Sequence, residues 1–139
     1  MNAPRRIQRR LVKGWRMPAD TIYVGRGTRW GNPWHGRGGT TYGPAWWEYR
    51  SRAMSEVTRG TSDNEKVHLY RTNSDPHASA AHAVELFRTY CDVMDRDHKH
   101  EFAAWVHPLR GRDLACWCRL DAPCHADVLL EIANQEVTT

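Results

Sequence analysis

Between Leu109 and Asn134 the chain reads LRGRDLACWCRLDAPCHADVLLEIAN, gathering three of its four cysteines with a histidine and, two residues after it, Asp127. In an extended segment residues i and i+2 share a face. Cys116 and Cys118 therefore turn the same way and Trp117 the other. The apolar run from Arg112 to Cys118 predicts a buried strand. Val128, Leu129, Ile132 and Ala133 recur at helical spacing, which predicts a helix over His125–Ala133. Pro123, Cys124 and His125 then lie where strand hands over to helix, and free N–H groups and the helix dipole there favour anions and thiolates.

Three chemistries fit this cluster. The first is a metal site: Cys116, Cys118, Cys124 and His125 supply the four Cys/His ligands that zinc takes tetrahedrally, although the spacing is not the usual C-x2-4-C. The second is a nucleophilic thiolate: Cys124 at the helix N-terminus, His125 as its ion-pair partner and Asp127 in the first turn, orienting His125 or complementing the dipole. These three are the catalytic candidates. The third is plain burial, since free cysteine packs as a small hydrophobe. Cys91, on the apolar face of a separate helix, reads as core. The zinc deaminase pattern fails: His125 follows Cys124 directly, the second cysteine of P-C-x-x-C is missing, and His82 and Glu85 do not form H-x-E.

A second loop carries binding chemistry. Tyr23–Trp34 reads YVGRGTRWGNPW. Asn32 can hydrogen-bond a base or ribose edge, Trp30 or Trp34 can stack on a ring, and Arg26 and Arg29 can meet phosphate. Arg26, Thr28, Trp30 and Asn32 are the ligand-binding candidates. The competing reading is a structural turn started by Asn32-Pro33 and plugged by Trp30. Neither G-x-G-x-x-G nor a Walker pattern is present.

The elements that must position these loops follow from periodicity. Thr21–Gly25 is β-branched and aromatic and predicts a strand; an edge strand is expected around Ile7–Val12. Arg26 to Gly43 is expected to be a long glycine-rich loop without helix or strand. A helix is expected over Pro44–Val57, a short strand at Val67–Tyr70, and a central helix over Ala78–Met94 with the stripe Ala83, Val84, Phe87, Tyr90, Cys91 and Met94. A further helical turn is expected over His98–His107. Strand–loop–helix occurs twice, and sites in open α/β sheets collect at the carboxyl ends of strands. The expected fold is a compact single α/β domain over 1–139, with a small central sheet and helices packed on it.

A chain of 139 residues with 40% hydrophobic content suits one core. No apolar run approaches the roughly 20 residues of a membrane span. The basic start lacks the apolar region of a signal peptide, so a cytoplasmic protein with reduced thiols is expected. Net charge is +4, and six Lys/Arg fall in the first 16 positions: Arg5, Arg6, Arg9, Arg10, Lys13 and Arg16. This basic N-terminal arm, 1–16, suits a polyanionic partner.

The two motif segments together resemble the uncharacterised family DUF4326, whose pattern runs VGR-x-T-x-WGNPF and then L-x-G-K-x-L-x-C-x-C, a short loop and P-CH-x-D-x-L. The resemblance covers about residues 7–34 and 78–134. Trp34 stands where the family has Phe, and 44–77 falls as a variable insertion. The resemblance implies a phage or actinobacterial setting and no activity. The leading expectation is a small enzyme acting on a nucleotide, nucleoside or nucleic-acid base through a zinc or thiolate site. The alternatives are a non-catalytic nucleic-acid-binding module with a structural zinc, or a phage protein that binds a host factor.

Overall fold

The computed structural model describes residues 3–37, 40–44, 67–70 and 76–135. Two short sheets and three helices make up the described chain. β1 (Arg6–Gln8), β2 (Thr21–Tyr23) and β6 (Asp113–Cys116) form a parallel sheet in the order β1-β6-β2. β3 (His35–Arg37), β4 (Thr40–Pro44) and β5 (Val67–Tyr70) form an antiparallel sheet in sequence order. The helices are α1 (Pro76–Asp97), α2 (Lys99–Val106) and α3 (His125–Ala133), with a single 3-10 turn at His107–Leu109. This is the expected α/β architecture, with helices packed on a small sheet.

β6 holds the centre. Leu114, Ala115 and Cys116 are all buried, as a strand covered on both faces requires. It runs parallel to both neighbours, with Arg6 opposite Leu114, Gln8 opposite Cys116 and Tyr23 opposite Ala115. All three strands therefore end at the same edge, where Cys116 sits. Gly111, at φ 75°, turns the chain into β6, and its N–H donates to Asn134 Oδ1 at 2.9 Å.

α1 buries Ala83, Phe87, Tyr90, Cys91 and Met94, the stripe that its periodicity predicts. Phe87 and Tyr90 meet at 6.3 Å, and Trp34 abuts Tyr90 edge-on at 5.8 Å. Val128, Leu129 and Ala133 of α3 complete the core. The α3 limits match the apolar spacing.

Four expectations shift. β1 spans Arg6–Gln8 rather than Ile7–Val12, because its pairing with β6 stops at Cys116. β6 likewise ends at Cys116, and Trp117 and Cys118 turn away from the ladder. The stretch to Gly43 is not irregular throughout: β3 and β4 pair with Arg37 opposite Thr40. Pro44 closes β4 rather than opening a helix, and the rest of the helix expected over Pro44–Val57 lies outside the described residues. Within the span read as an insertion, the described Val67–Tyr70 is a strand paired with β4.

The loop after β2 is tightly built. Thr28 N–H and Oγ1 both donate to Gly25 O, at 3.2 and 2.7 Å. Gly27 sits at φ 89° in the third position of that turn, where a type II turn needs glycine. A Cβ on Gly31 would lie 2.8 Å from Gly25 O and 3.2 Å from the Arg26 Cα, backbone atoms that have no side-chain freedom to yield. Gly31→Ala should therefore destabilise the fold by about 1–3 kcal/mol, read as a lower urea midpoint. An unchanged midpoint would show that the loop is not held as described.

Candidate metal and thiolate site

The sulfurs of Cys116, Cys118 and Cys124 all lie within 4.8 Å of one another. Cys116 arrives at the end of the central strand, Cys118 follows after the turn, and Cys124 is the N-cap of α3, in extended backbone. Cys116 and Cys124 are buried, with their sulfurs 3.0 Å apart. Two bare thiolates at that distance would repel strongly, so a proton or a cation must lie among the three. Cys116 keeps its proton: its thiol is pushed far up by its hydrogen bonds to Cys118 and Cys124 and then by burial. Cys118 moves the opposite way, drawn down by the bonds from Cys116 and Cys124, with the Arg6 charge adding to them. Cys124 is also lowered, first by Cys116, against Cys118 and burial, with His125 helping.

Arg6 supplies the compensating charge. Its side chain is only 7% exposed although it lies in the basic N-terminal run. Nη2 donates to Leu120 O at 2.7 Å and Arg119 O at 3.2 Å, which pins the loop carrying Cys118 to Cys124. Nη1 lies 3.5 Å from Asp127 Oδ2. Burial works against the Arg6 charge, but the hydrogen bond to Cys124 and the Asp127 carboxylate outweigh it and raise its pKa. Arg5 pairs with Asp113, and Arg9 lies over the Tyr23 and Trp117 rings at 4.6 and 4.7 Å. The run is thus built into the sheet edge and is not a free arm at Arg5, Arg6 and Arg9.

His125 stands beside the three sulfurs rather than among them. Among the described residues the close group of possible ligand atoms comprises the three cysteines alone. His125 Nε2 lies 2.8 Å from Val24 O. A carbonyl can only accept, so Nε2 carries the proton in that bond. Nδ1 then faces Cys124 Sγ at 3.7 Å, as acceptor from a thiol or, once protonated, as donor to a thiolate. The Phe87 ring meets the imidazole edge-on at 5.3 Å and fixes its plane. Asp127 therefore does not orient His125. The Val24 carbonyl does so, and Asp127 serves Arg6.

A cavity of about 290 Å3 joins the two motif loops. The sulfur cluster, with Pro123 and His125, forms one wall, and Gly25, Arg26, Asn32 and Trp34 form another. Of the four ligand-binding candidates, Arg26 and Asn32 line it. Asn32 is also a structural brace: Oδ1 accepts from Trp34 N–H at 2.9 Å and Nδ2 donates to Ala83 O at 3.2 Å. Thr28 and Trp30 do not line it. Thr28 closes its own turn. Trp30 Nε1 donates to Trp105 O at 2.8 Å while Trp105 Nε1 donates to Arg29 O at 3.1 Å, a reciprocal clasp between this loop and α2.

Sequence reasoning missed Arg6, the Val24 carbonyl and Trp117. Arg6 was indistinguishable from its basic neighbours; the one usable signal was its place beside Ile7 in a strand that must pair with β6. The buried groups set the pH response of the metal-free chain. Burial raises Cys91 and Tyr90, and the hydrogen bonds to Cys118 and Cys124, with burial, raise Cys116. The unfolded chain ionises these groups first, so stability falls as pH rises above the ordinary thiol range of about 8.5. Cys118 and Cys124 are lowered, so their contribution is lost as pH falls toward their folded-state values. Thermal unfolding of chelator-treated protein from about pH 5 to about pH 11 should give a dome with a steep alkaline limb. An unfolding temperature that is flat or rising above about pH 9 would contradict the assignment.

Among the described residues, no helix is long and apolar enough to cross a membrane. No curated protein and no solved structure matches the chain. A family profile does match, over residues 7–135, and its span includes both motif loops, the cavity and the three cysteines. The chain belongs to the family described as Domain of unknown function (DUF4326).

Proposed function

We propose that the domain is a small enzyme that holds one soft divalent metal ion, zinc by preference, on Cys116, Cys118 and Cys124, and acts on a nucleobase or nucleoside in the adjoining cavity. The observation that carries this reading is the three-sulfur group forming one wall of a half-open, ligand-sized cavity. Thiolate donors select zinc-class ions. Catalytic zinc sites keep three protein ligands and leave the fourth position for water or substrate. A structural site would instead close with a fourth ligand, and none joins the group among the described residues.

A metal bound there supplies Lewis acidity and a lowered pKa for bound water. The chain's own residues do the rest. Arg6 offsets the excess negative charge that three thiolates leave on a divalent ion. His125, with Nε2–H held by Val24 O, keeps Nδ1 directed at Cys124, where the protonated ring would donate a hydrogen bond to that thiolate. Trp34 and Trp117 give the cavity flat apolar walls, and Arg26 lies at its lining for a polar edge. At about 290 Å3 the space is near the lower end of ligand sites, which favours a base or nucleoside over a nucleotide.

A second reading keeps the pocket and drops the metal: Cys124 as nucleophile and His125 as base, oriented by the Val24 carbonyl. The 3.7 Å contact between Cys124 Sγ and His125 Nδ1 favours it. Metal content and thiol count of protein purified without chelator separate the two. The metal reading expects one zinc-class ion per chain and slow-reacting cluster thiols. Cys116→Ser, Cys118→Ser or Cys124→Ser should each weaken metal binding by at least about a hundredfold, beyond the effect usual for outer-shell partners. Metal-free protein with one fast thiol would instead support the nucleophile, and metal-free protein with inert thiols would overturn both. Bases and nucleosides should raise the unfolding temperature of the metal-loaded chain; no shift with any of them would contradict the substrate class.

A further inference from the structure

On the other side of Trp117 lies an open groove lined by Arg9, Arg10, Leu11, Val12, Lys13, Trp15, Met17 and Trp117. Trp117 lines both this groove and the cavity at the cysteines. We propose that the groove binds the backbone and bases of single-stranded nucleic acid. This deepens the reading of the cavity by making its substrate a base presented on a strand.

Three observations carry the proposal. Three of the eight lining residues are cations and none is acidic, and among the described residues Arg10 and Lys13 form no ion pair. Large apolar side chains are left in water beside them: Leu11 is 93% exposed, Val12 59% and Trp117 43%. Arg9 lies over both the Tyr23 and Trp117 rings, which holds the indole in place. A positive groove interleaved with fixed aromatic rings is the chemistry that binds single strands, with phosphates on the cations and bases on the rings. A membrane surface would use the same residue types. It would have no use for a ligand-sized cavity on the far side of the same indole, whereas a strand lying in the groove would bring a base to it.

The test is fluorescence anisotropy with labelled single-stranded DNA and RNA oligonucleotides, set beside duplex DNA and sedimentation with phosphatidylserine vesicles. Single strands should bind, more tightly than duplex and without vesicle binding. The double substitution R10E/K13E changes exposed side chains. It should weaken binding at least tenfold and flatten the salt dependence by about 1.4, near 0.7 for each lost phosphate contact. W117A should weaken it roughly tenfold through lost stacking. Arg110→Glu, an exposed position outside the groove, should change nothing. No binding at low salt, vesicle binding without oligonucleotide binding, or equal weakening by Arg110→Glu and R10E/K13E would each overturn the proposal. Binding here needs no metal, so its failure is separate from failure of the cysteine centre, which metal content reports.

Discussion

Like charges cannot be crowded together in a buried place without something positive among them. Three sulfurs within 4.8 Å at the end of the central strand impose that constraint on this domain. Everything around them answers it. Cys116 retains a proton, Arg6 brings a buried guanidinium from the neighbouring strand, and His125 offers a nitrogen that can carry a second proton. A divalent ion would answer it more completely, taking the place of the proton that Cys116 otherwise keeps.

The sheet order makes this arrangement possible. With β6 between β1 and β2, the strand that ends in Cys116 has Arg6 on one side and Val24, just past β2, on the other. Arg6 ties down the loop between Cys118 and Cys124 through Arg119 O and Leu120 O. Val24 O fixes the His125 tautomer. Two residues far apart in sequence thereby prepare one helix N-terminus, and α1 steadies it through Phe87 against the imidazole. Replacing any one of these would leave the cysteines present but less well held, the usual way a site loses function without losing its reactive groups.

Local patterns made much of this legible. The α3 limits, the buried face of α1 and the strand at Val67–Tyr70 follow from periodicity and β-branching alone. The closeness of Cys116 and Cys124 follows from a strand end and a short loop, but Cys118 joins them through a bend after β6 and not through the i, i+2 alternation expected of a longer strand. That Arg26 and Asn32 share a cavity with them follows from parallel strands ending at one edge. What remained hidden depends on long-range partners. Nothing in Arg5-Arg6-Ile7-Gln8 says which arginine turns inward, because that is decided by pairing with a strand more than a hundred residues later. Trp30 looks like a stacking platform until Trp105 is found accepting its N–H. Asp127 looks like the partner of its near neighbour His125 until Val24 and Arg6 are placed.

The proposed metal centre gathers three thiolates at one point and leaves one side open. Cobalt(II) titration tests it most directly, because thiolate-to-cobalt charge-transfer bands scale with the number of sulfur ligands and the intensity of the d–d bands reports tetrahedral geometry. Such a centre should saturate at one cobalt per chain, give a tetrahedral spectrum with three-thiolate intensity, and change its d–d bands when a small competing ligand such as cyanide or imidazole enters the fourth position. Absence of charge-transfer absorption, or a four-ligand spectrum that added ligands leave unchanged, would contradict it.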